Sequence, residues 1–468
     1  MSDNSGSPLA RRSFIAGSAA VAAGAAVTAG FPGAAAGQSA ASRPNILLII
    51  TDDQPKQTQW ATSKTFDWIA RQGVRFSNGH VTTPLCAPSR ASIFSGRYAH
   101  NHGVRDNGHA ANLNQSTTVQ RQLQLNGYRT GLFGKYLNSW AVANNPPGFD
   151  TWALLQPSFV DGTYNDQGTV KTISGYTTTV LKNRVLNFID RSTSDTRPWF
   201  AIYTPYASHE PNTPEAKYAD TAVPVWDGRP SVPEADRADK PAYVRNATNT
   251  LADGKLQRQK QFRSLLSVDD AVQAFKDKLT ALGQLDNTLV IYIPDNGYYW
   301  ADHGLLGKAA PYRQAHEVPF YLSWPAGGYG AGAVDDRIVA NIDIAPTIFQ
   351  AAGIAPTGTQ DGVSLFGPAT RDHVLTEWWH QGPYANAQAK RTWASYVSET
   401  EQYVEYYDLW TDSAGKQVGT GQVVFREYYD LVNDPFQLTN KLHGATPAQE
   451  QAWGIPALAT KLAAARAS

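Results

Sequence analysis

Two continuous apolar runs constrain the fold of this chain more than any other feature of its sequence. Residues Asn45–Ile50 and Thr288–Ile293 carry apolar side chains at most positions, without the polar alternation of a half-exposed strand. Strands of this kind are buried on both faces, as in the parallel sheets of α/β proteins. We therefore predict that both runs are strands of one sheet that helices cover on both sides.

Helical patterns alternate with a further strand candidate between the two runs. Helices are predicted at Phe66–Gln72, Thr117–Asn126, Thr178–Arg191 and Arg263–Leu282, and a strand is predicted at Pro198–Tyr203. This alternation is typical of a doubly wound α/β sheet. Such a sheet places its functional site at the carboxyl ends of its strands.

The character of the sequence changes near residue 371. Three aromatic, alternating segments, Thr392–Val397, Tyr403–Trp410 and Gln422–Tyr429, precede a final Ala-rich stretch with helical character. They predict a smaller antiparallel sheet with one helix. We expect a catalytic domain over residues 43–370 and a C-terminal α+β subdomain over residues 371–468. Within the first of these, the Pro-rich stretch Thr213–Ala242 is expected to form a surface excursion at the rim of the pocket.

The first 42 residues carry the features of an export signal. Arg11 and Arg12 precede an apolar stretch rich in Ala, Val and Gly, and the small residues Ala34–Ala36 follow it. This pattern predicts a twin-arginine signal peptide and linker over residues 1–42, recognised by the twin-arginine export machinery. The predicted location is extracellular or periplasmic. Later apolar runs are shorter than the ~20 residues of a membrane span, so we expect no stable membrane insertion.

Composition excludes some partners and some sources of stability. The 468-residue chain has 40 Lys+Arg and 40 Asp+Glu residues, so no global field favours nucleic acid or an anionic membrane. A pocket for an anionic substrate must therefore take its positive charge from local side chains. The single cysteine excludes an internal disulfide, so stability must come from packing.

Acidic and amide side chains directly follow both apolar runs. Asp52 and Asp53 leave the first strand, and Asp295 and Asn296 leave the second. Because strand ends meet at one edge of a doubly wound sheet, four oxygen donors come together there. This donor set suits Ca²⁺, with Mg²⁺ as the alternative. Paired carboxylates at strand ends also form turns and cap helices, but two such pairs favour a metal site.

The only cysteine stands at a predicted helix start, in the segment Cys86-Ala-Pro88-Ser-Arg90. Pro88 fits the first turn of a helix, so Cys86 is predicted just before the helix N-terminus. A helix N-terminus favours an oxyanion, and Arg90 offers a planar fork for sulfate or phosphate oxygens. Taken alone, a lone cysteine is more often a buried structural residue.

The wider pattern reverses that balance. Cys86-Ala-Pro-Ser-Arg90 and the following Ser95-Gly-Arg-Tyr98 resemble the signature of the formylglycine-dependent sulfatases, a family of the alkaline phosphatase superfamily. Further motifs follow in the order of that family: Arg43-Pro-Asn-Ile-Leu-Leu-Ile-Ile-Thr-Asp-Asp53, Gln72-Gly-Val-Arg-Phe76, Asn101-His-Gly103, Gly134-Lys-Tyr-Leu-Asn138, Asp295-Asn-Gly297, Lys308 and Tyr429-Asp-Leu-Val-Asn-Asp-Pro435.

Two features, one of them among these motifs, resemble one branch of the family, that of the N-acetylglucosamine-6-sulfatases and heparan endosulfatases. They are the Gly134-Lys-Tyr-Leu-Asn138 form and Pro146-Pro-Gly148. The resemblance implies a large mixed sheet flanked by helices, as in alkaline phosphatase. It also implies a sulfuric ester hydrolase for sulfated carbohydrates of the glycosaminoglycan type, such as 6-sulfated N-acetylglucosamine, with aryl sulfates as convenient substrates.

The resemblance also implies a role for each candidate residue. A formylglycine-generating enzyme oxidises Cys86 to formylglycine (3-oxoalanine), whose hydrate attacks sulfur and later expels sulfate as the aldehyde re-forms. Arg90, Lys135 and Lys308 bind the sulfate group, and His209 assists the leaving oxygen or binds sulfate. The implied metal ligands are Asp52, Asp53, residue 86, Asp295 and Asn296. His102 and His303 also match family positions near the site.

Two positions depart from the family pattern. Leu137 stands where arylsulfatase-type members carry a histidine, which leaves the base for the second hydroxyl unassigned, and Asn138 is not ionisable. Arg313 and Glu317 carry the charges of their family counterparts in exchanged order, and we interpret them as a reversed ion pair four residues apart.

Two other functions share most of this evidence. One is a hydrolase of phosphonate monoesters or phosphodiesters on the same fold, which the Gly134–Asn138 motif disfavours. The other is a non-catalytic binder of sulfated glycans with unmodified Cys86, which the complete set of metal and cationic residues disfavours.

Overall fold

The computed structural model describes residues 43–380, 390–412, 414 and 416–468. The predicted export signal at residues 1–42 lies outside them. Residues Ser42–Ser468 form one compact unit, and the subdomain boundary at residue 370 stays a prediction.

The described residues form strands and helices in alternation along the first two thirds of the chain. The strands are β1 (Asn45–Thr51), β2 (Val74–His80), β3 (Arg129–Gly134), β4 (Thr151–Leu155), β5 (Val160–Asp166), β6 (Thr169–Tyr176), β7 (Trp199–Thr204), β8 (Thr288–Pro294), β9 (Tyr299–Trp300), β10 (Leu306–Gly307), β11 (Phe320–Ser323), β12 (Ala333–Ala340), β13 (Val374–Trp378), β14 (Thr392–Val397), β15 (Glu401–Thr411) and β16 (Gln417–Asp430).

The α-helices are α1 (Ser63–Thr65), α2 (Cys86–Ser95), α3 (Ala99–His102), α4 (Val119–Leu125), α5 (Thr177–Asp190), α6 (Ala242–Arg245), α7 (Leu251–Ala281), α8 (Arg313–His316), α9 (Ile344–Ala352), α10 (Pro447–Ala452) and α11 (Ile455–Ala467). A π-helical turn covers Phe66–Arg71, and short 3₁₀ turns cover Ala110–Asn112, Gln115–Thr117, Arg191–Thr193, Ala216–Tyr218, Asp302–Gly304, Pro325–Gly327 and Asn341–Asp343.

The two apolar runs are neighbours in a ten-stranded mixed sheet. The strand order is β12-β2-β11-β8-β1-β7-β3-β4-β5-β6. Strand β1 is parallel to β8 and to β7, and Thr51 is in register with Pro294. Strand β11 is antiparallel to β8 and to β2, and β5 is antiparallel to β4 and to β6. The predicted mixed sheet flanked by helices is confirmed, and the strand ends of β1 and β8 lie side by side.

Strand β1 shows why these runs lack polar alternation. Ile46, Leu48 and Ile50 belong to a core cluster that also contains side chains of α2, α4 and α9. Leu47 and Ile49 belong to a second cluster with side chains of α5 and α7. Helices therefore cover both faces of the strand, and every side chain of Ile46–Ile50 is fully buried.

The C-terminal residues form the smaller antiparallel sheet that the sequence predicts. Its order is β13-β14-β15-β16, and helix α11 packs on it through Ile455, Leu458 and Leu462. Strand β13 was not predicted, because the five residues of Val374–Trp378 are too few to show a clear period. The predicted excursion at Thr213–Ala242 contains one short 3₁₀ turn and otherwise irregular chain up to the start of α6.

Helix α7 corrects the predicted helix at Arg263–Leu282, since it begins at Leu251. A reciprocal capping box between Thr250 and Asp253 starts the helix. The sequence prediction missed the first turns because Gly254 lies within them, and glycine disfavours a helix interior. Gly254 is nevertheless required there, since a Cβ atom would lie 2.2 Å from the carbonyl oxygen of Trp300.

Among the described residues, helices that combine the length and the apolar character of a membrane span are absent.

We expect Gly254→Ala to destabilise the protein, although alanine is the better helix former by about 1 kcal/mol. The added methyl group must displace the Trp300 backbone, and overpacking of this kind costs about 1–3 kcal/mol. Urea unfolding measures the change. The control is Leu256→Ala in the same helix, where the side chain is 52% exposed and a change within about 0.5 kcal/mol is expected. A Gly254→Ala protein as stable as the wild type would contradict the packing described.

Candidate active site

The ends of β1 and β8 bring the predicted acidic residues together. The Asp53 backbone N–H donates to Asp295 Oδ1 at 3.1 Å, and the Asp295 N–H donates to the carbonyl of Thr51 at 2.9 Å. Asn296 Nδ2 donates to Asp53 Oδ1 at 2.7 Å. All four acidic and amide side chains are almost fully buried. The parallel register of the two strands thus places them at one edge of the sheet.

Cys86 lies beside this acidic edge. Its Sγ is 3.6 Å from Asp52 Oδ1, 4.0 Å from Asp53 Oδ1 and 2.9 Å from Lys308 Nζ. The sequence placed Cys86 just before a helix, but it is the first residue of α2, with Leu85 as the N-cap. The difference of one residue follows from Pro88, which is tolerated throughout the first turn and does not fix the start of the helix.

Three cationic side chains neutralise the three carboxylates. Arg90 donates from Nε to Asp295 Oδ2 at 2.8 Å and from Nη2 to Asp52 Oδ2 at 3.3 Å. Lys135 Nζ donates to Asp52 Oδ2 at 2.6 Å, and Lys308 Nζ pairs with Asp53. We call these six side chains the charge cluster: Asp52, Asp53, Asp295, Arg90, Lys135 and Lys308.

Burial and pairing set the protonation states within the charge cluster. Burial opposes ionisation of Asp52, but Lys135 and Arg90 hold its pKa well below the usual range. Burial raises the pKa of Asp53, although Lys308 opposes the shift. Burial acts against the charge of Lys308, but Asp53 holds its pKa well above the ordinary value. An additional cation beside Asp53 would therefore stabilise the ionised carboxylate.

The Cys86 thiol is a poor nucleophile as it stands. Burial, with the charge of Asp52, raises its pKa to about 12. The thiolate is the reactive form of cysteine, and a thiol with this pKa is almost entirely protonated at neutral pH. The position at the centre of the charge cluster therefore does not by itself produce an active thiolate.

The residues present fit a divalent cation. Asn296 Oδ1 is buried and has no hydrogen-bond partner among the described residues. This amide oxygen beside Asp53 is therefore free to bind a cation. Asp52, Asp53, Cys86 and His209 each place a potential ligand atom within 4.8 Å of the others. Carboxylate and amide oxygens of this kind suit Ca²⁺ or Mg²⁺. Asp295 is in this neighbourhood but is engaged by Arg90 and by the Asp53 backbone.

His209 lies at the mouth of the site. Its side chain is 27% exposed, whereas that of Asp53 is 3% exposed, and the distance from His209 Nε2 to Asp53 Oδ2 is 3.7 Å. Nδ1 lies 2.8 Å from the carbonyl of Glu210, which can only accept, so we assign the hydrogen to Nδ1. The ring stacks on Tyr206 at 4.7 Å between centroids. Nε2 is therefore the nitrogen available to a substrate.

Two other histidines, His102 and His303, make their described hydrogen bonds with residues outside the charge cluster. His102 contacts Ser92 Oγ at 3.1 Å, and burial lowers its pKa to about 3, so it is neutral within the core below α2. His303 is fully buried, with Nδ1 2.7 Å from Glu234 Oε2 and its ring against Tyr312. His102 thus contacts α2 through Ser92, and His303 contacts the excursion through Glu234.

Sequence reasoning missed Thr204 and Tyr206. Thr204 Oγ1 accepts a hydrogen bond from Arg90 Nη1 at 2.7 Å, and Lys135 Nζ lies 5.9 Å from the ring centroid of Tyr206. Both follow or end strand β7, which neighbours β1 in the sheet. The rule that identified Asp52 and Asp295, that site residues follow parallel strands, could have identified them as well.

The structure shows the surroundings of the residues that depart from the family pattern, Leu137 and the pair Arg313 and Glu317. Leu137 packs in the core cluster with α2 and α4. Arg313 and Glu317 form the expected ion pair, with Nε–Oε2 at 3.1 Å and Nη2–Oε1 at 3.0 Å, and Lys56 Nζ joins it at 2.7 Å from Glu317. The exchanged charges thus keep a pair at this position.

A ten-stranded mixed sheet of this topology, with carboxylates and cations at its strand ends, defines an α/β protein of alkaline-phosphatase-like fold. The sequence model described as "Sulfatase" matches residues 44–354. This chain belongs to the sulfatase family, whose members are sulfuric ester hydrolases.

Individual relatives agree with this membership. The chain is 30% identical over 449 residues to human N-acetylglucosamine-6-sulfatase, covering 85% of this chain and 81% of that protein. It is 32% identical over 350 residues to an extracellular sulfatase Sulf-1 homolog of Caenorhabditis elegans, covering 69% of this chain, and it spans 49% of that relative's length. A solved structure with bound D-glucosamine-2-N,6-O-disulfate has a TM-score of 0.76 at 21% identity, and the match covers 90% of this chain and 97% of that one.

We expect a divalent cation to raise the melting temperature of the wild-type protein and not that of Asp53→Asn. A ligand at one hundred times its dissociation constant stabilises the folded state by about 2.7 kcal/mol. Differential scanning fluorimetry with Ca²⁺, Mg²⁺ or EDTA measures the shift.

The matched control is Asp67→Asn, where the carboxylate is 54% exposed and pairs with Arg71. This variant is expected to respond to the cation as the wild type does. A wild type that responds to neither ion, or an Asp53→Asn protein that responds fully, would refute the metal site.

Proposed function

We propose that this protein hydrolyses sulfate monoesters of carbohydrates, 6-sulfated N-acetylglucosamine among them, with formylglycine at position 86 and Ca²⁺ as the cofactor. The relatives named as N-acetylglucosamine-6-sulfatases support the carbohydrate substrate. The solved relative with D-glucosamine-2-N,6-O-disulfate as its named substrate supports a 6-sulfated glucosamine. Mg²⁺ is the alternative cofactor.

The position of Cys86 carries this proposal. Its Sγ lies within 4.0 Å of Asp52, Asp53 and Lys308 at once. A side-chain atom here touches both the carboxylates that would hold a cation and a lysine that would bind sulfate. Burial raises the pKa of the thiol to about 12, which makes it a poor nucleophile here, and oxidation to an aldehyde would give this position a competent one. Hydration of the aldehyde supplies a hydroxyl oxygen there and an internal route for releasing sulfate.

The charge cluster can stabilise a sulfate group. Its three carboxylates and three cations cancel, so a divalent cation leaves a surplus of two positive charges before the substrate binds. The cation, when bound, would withdraw charge from a ligating oxygen at residue 86 and favour its ionised form. Lys135 and Lys308 would face the sulfate oxygens, where negative charge grows as the ester bond breaks. Arg90, held by Asp295 and Thr204, fixes the positions of the carboxylates.

His209 is proposed to protonate the leaving oxygen. Nδ1–H donates to the carbonyl of Glu210, so the protonated imidazolium ring would carry its second proton on Nε2 and would become neutral imidazole after transferring that proton to the leaving oxygen. Tyr206 fixes the ring through stacking and through its hydroxyl, which lies 2.8 Å from Nδ1. The ring is 27% exposed, which supports a proton donor on the side from which the alcohol would leave.

The burial of Cys86 bears on maturation. Its side chain is fully buried at the start of α2, so a formylglycine-generating enzyme would need the segment before it folds. A twin-arginine route carries folded proteins, so the modification would precede export to the extracellular or periplasmic space. The relatives named as extracellular sulfatases support that location.

Mass spectrometry of the peptide that contains residue 86 tests the nucleophile. In active enzyme this residue is expected to have lost its sulfur and gained a carbonyl oxygen. Cys86→Ala is expected to reduce sulfate release by at least about 10³-fold while its melting temperature stays close to that of the wild type. An intact thiol in fully active enzyme would contradict the proposal.

His209→Gln tests the proton donor through the leaving group. We expect hydrolysis of N-acetylglucosamine-6-sulfate to fall about 10²-fold or more, because a sugar alkoxide needs a proton. Hydrolysis of p-nitrophenyl sulfate is expected to fall less than about tenfold, because p-nitrophenolate is stable without one. His373→Gln, which alters a partly exposed histidine beside Asp372, serves as the control. Equal losses on both substrates would rule out the assigned role.

Paired assays also separate the sulfatase proposal from its alternative. Wild-type enzyme is expected to prefer p-nitrophenyl sulfate to bis-p-nitrophenyl phosphate and to phenyl phosphonate esters. A preference for the phosphorus esters would assign the chain to phosphonate monoester or phosphodiester hydrolysis instead.

A further inference from the structure

Lys390 is a partly buried cation next to the charge cluster, on the segment that leads into β14. Its Nζ donates to the backbone carbonyl of Lys308 at 2.9 Å, and the side chain of Lys308 reaches Cys86. Nζ also lies 5.6 Å from the ring centroids of Tyr243 and Trp378. The segment before β14 therefore places a second lysine in contact with Lys308, which itself contacts Cys86.

Lys390 lacks an anionic partner within the described part of the chain. Burial lowers its pKa to about 8, and no described carboxylate counteracts the shift. Residues 381–389, which precede it, contain no acidic side chain. A buried ammonium group without a counter-ion is costly. Of its three N–H donors, one is used by the Lys308 carbonyl.

A second unused donor lies in the same place. Trp378 is 8% exposed, and its indole Nε1 has no hydrogen-bond acceptor among the described residues. Buried indole N–H groups ordinarily find an acceptor. Lys390 lies over the ring of this residue. A cation and a neutral donor that both lack acceptors indicate a place for an oxyanion.

A cavity of about 180 Å³ adjoins Lys390 through Tyr243, which is one of the residues that line it; the other walls include Arg391, Tyr406 and Phe425. Aromatic faces with cationic side chains suit a charged sugar, since the rings pack on its apolar face and the cations bind its anionic groups. Leu85 and Ala309, the chain neighbours of Cys86 and Lys308, belong to one hydrophobic cluster with Trp378 and Trp393, and Tyr243 and Phe425 pack against that cluster.

We propose that Lys390 and Trp378 bind a second anionic group of the substrate, separate from the sulfate ester that is hydrolysed. This inference rests on the proposed function and makes it specific: the preferred substrate carries two anionic groups. The second group is a sulfate on the same sugar or the carboxylate of a neighbouring uronic acid. Lys390 and Trp378 are thus specificity residues, and the hydrolysed ester is held by the charge cluster.

Three substrates measured by sulfate release test this subsite. N-acetylglucosamine-6-sulfate has one anionic group, glucosamine-2-N,6-O-disulfate has a second sulfate on the same sugar, and a disaccharide of uronic acid and N-acetylglucosamine-6-sulfate has a carboxylate on the neighbour. Wild-type enzyme is expected to show a higher kcat/KM for at least one dianionic substrate than for the first, mainly through a lower KM.

In Lys390→Gln, the ratio of kcat/KM for that dianionic substrate to kcat/KM for the monoanionic one is expected to fall about tenfold, as is typical for the loss of a hydrogen bond to a charged group. Lys390→Arg is expected to recover most of the ratio, and Trp378→Phe, which keeps the ring and removes the N–H, to lower it by a smaller factor. Lys461→Gln, which alters a lysine that is 52% exposed on α11, is the control and is expected to leave the ratio as in the wild type.

The substrate whose ratio falls identifies the second anion as sulfate or carboxylate. A ratio within twofold of the wild-type value for both dianionic substrates, in Lys390→Gln protein with an unchanged melting temperature, would overturn the subsite. Release of sulfate from p-nitrophenyl sulfate but from none of the three sugars would instead refute the carbohydrate substrate, and the subsite with it.

Discussion

The burial of three carboxylates at adjacent strand ends is the constraint on which the rest of this structure depends. Carboxylates removed from water are tolerated when they are paired and hydrogen-bonded. Each member of the charge cluster accordingly has a partner of opposite sign. This pairing ties α2 to the strand ends, because Arg90 of this helix donates to both Asp52 and Asp295.

The balance of charge in the cluster changes when a divalent cation binds. Without a divalent cation the charges cancel, and with one the cluster has an excess of positive charge where a sulfate ester would lie. Cys86 stands at the junction of the carboxylates and Lys308, in a position that disfavours a thiolate and suits an oxygen ligand. His209 occupies the exposed side of the junction, where a leaving alcohol would depart.

The central strands and the acidic residues at their ends could be predicted from the sequence. Continuous apolar runs identify central strands, and the residues that follow them must meet at one sheet edge, so Asp52, Asp53 and Asp295 were predictable together. The helix start at Leu251 was not, since Gly254 argues against a helix unless the close approach of Trp300 is known. Lys390 could not be placed either, because its environment arises from contacts with distant segments.

A high-resolution crystal structure of the mature enzyme crystallised with Ca²⁺ tests the central claim most directly. We expect a cation bound by oxygens of Asp52, Asp53, Asp295 and Asn296, and an oxygen-bearing side chain at residue 86 in contact with it. Lys135 and Lys308 would then turn toward bound sulfate. A cysteine sulfur at residue 86, with Asp53 still paired to Lys308 and no ion between the strand ends, would contradict it.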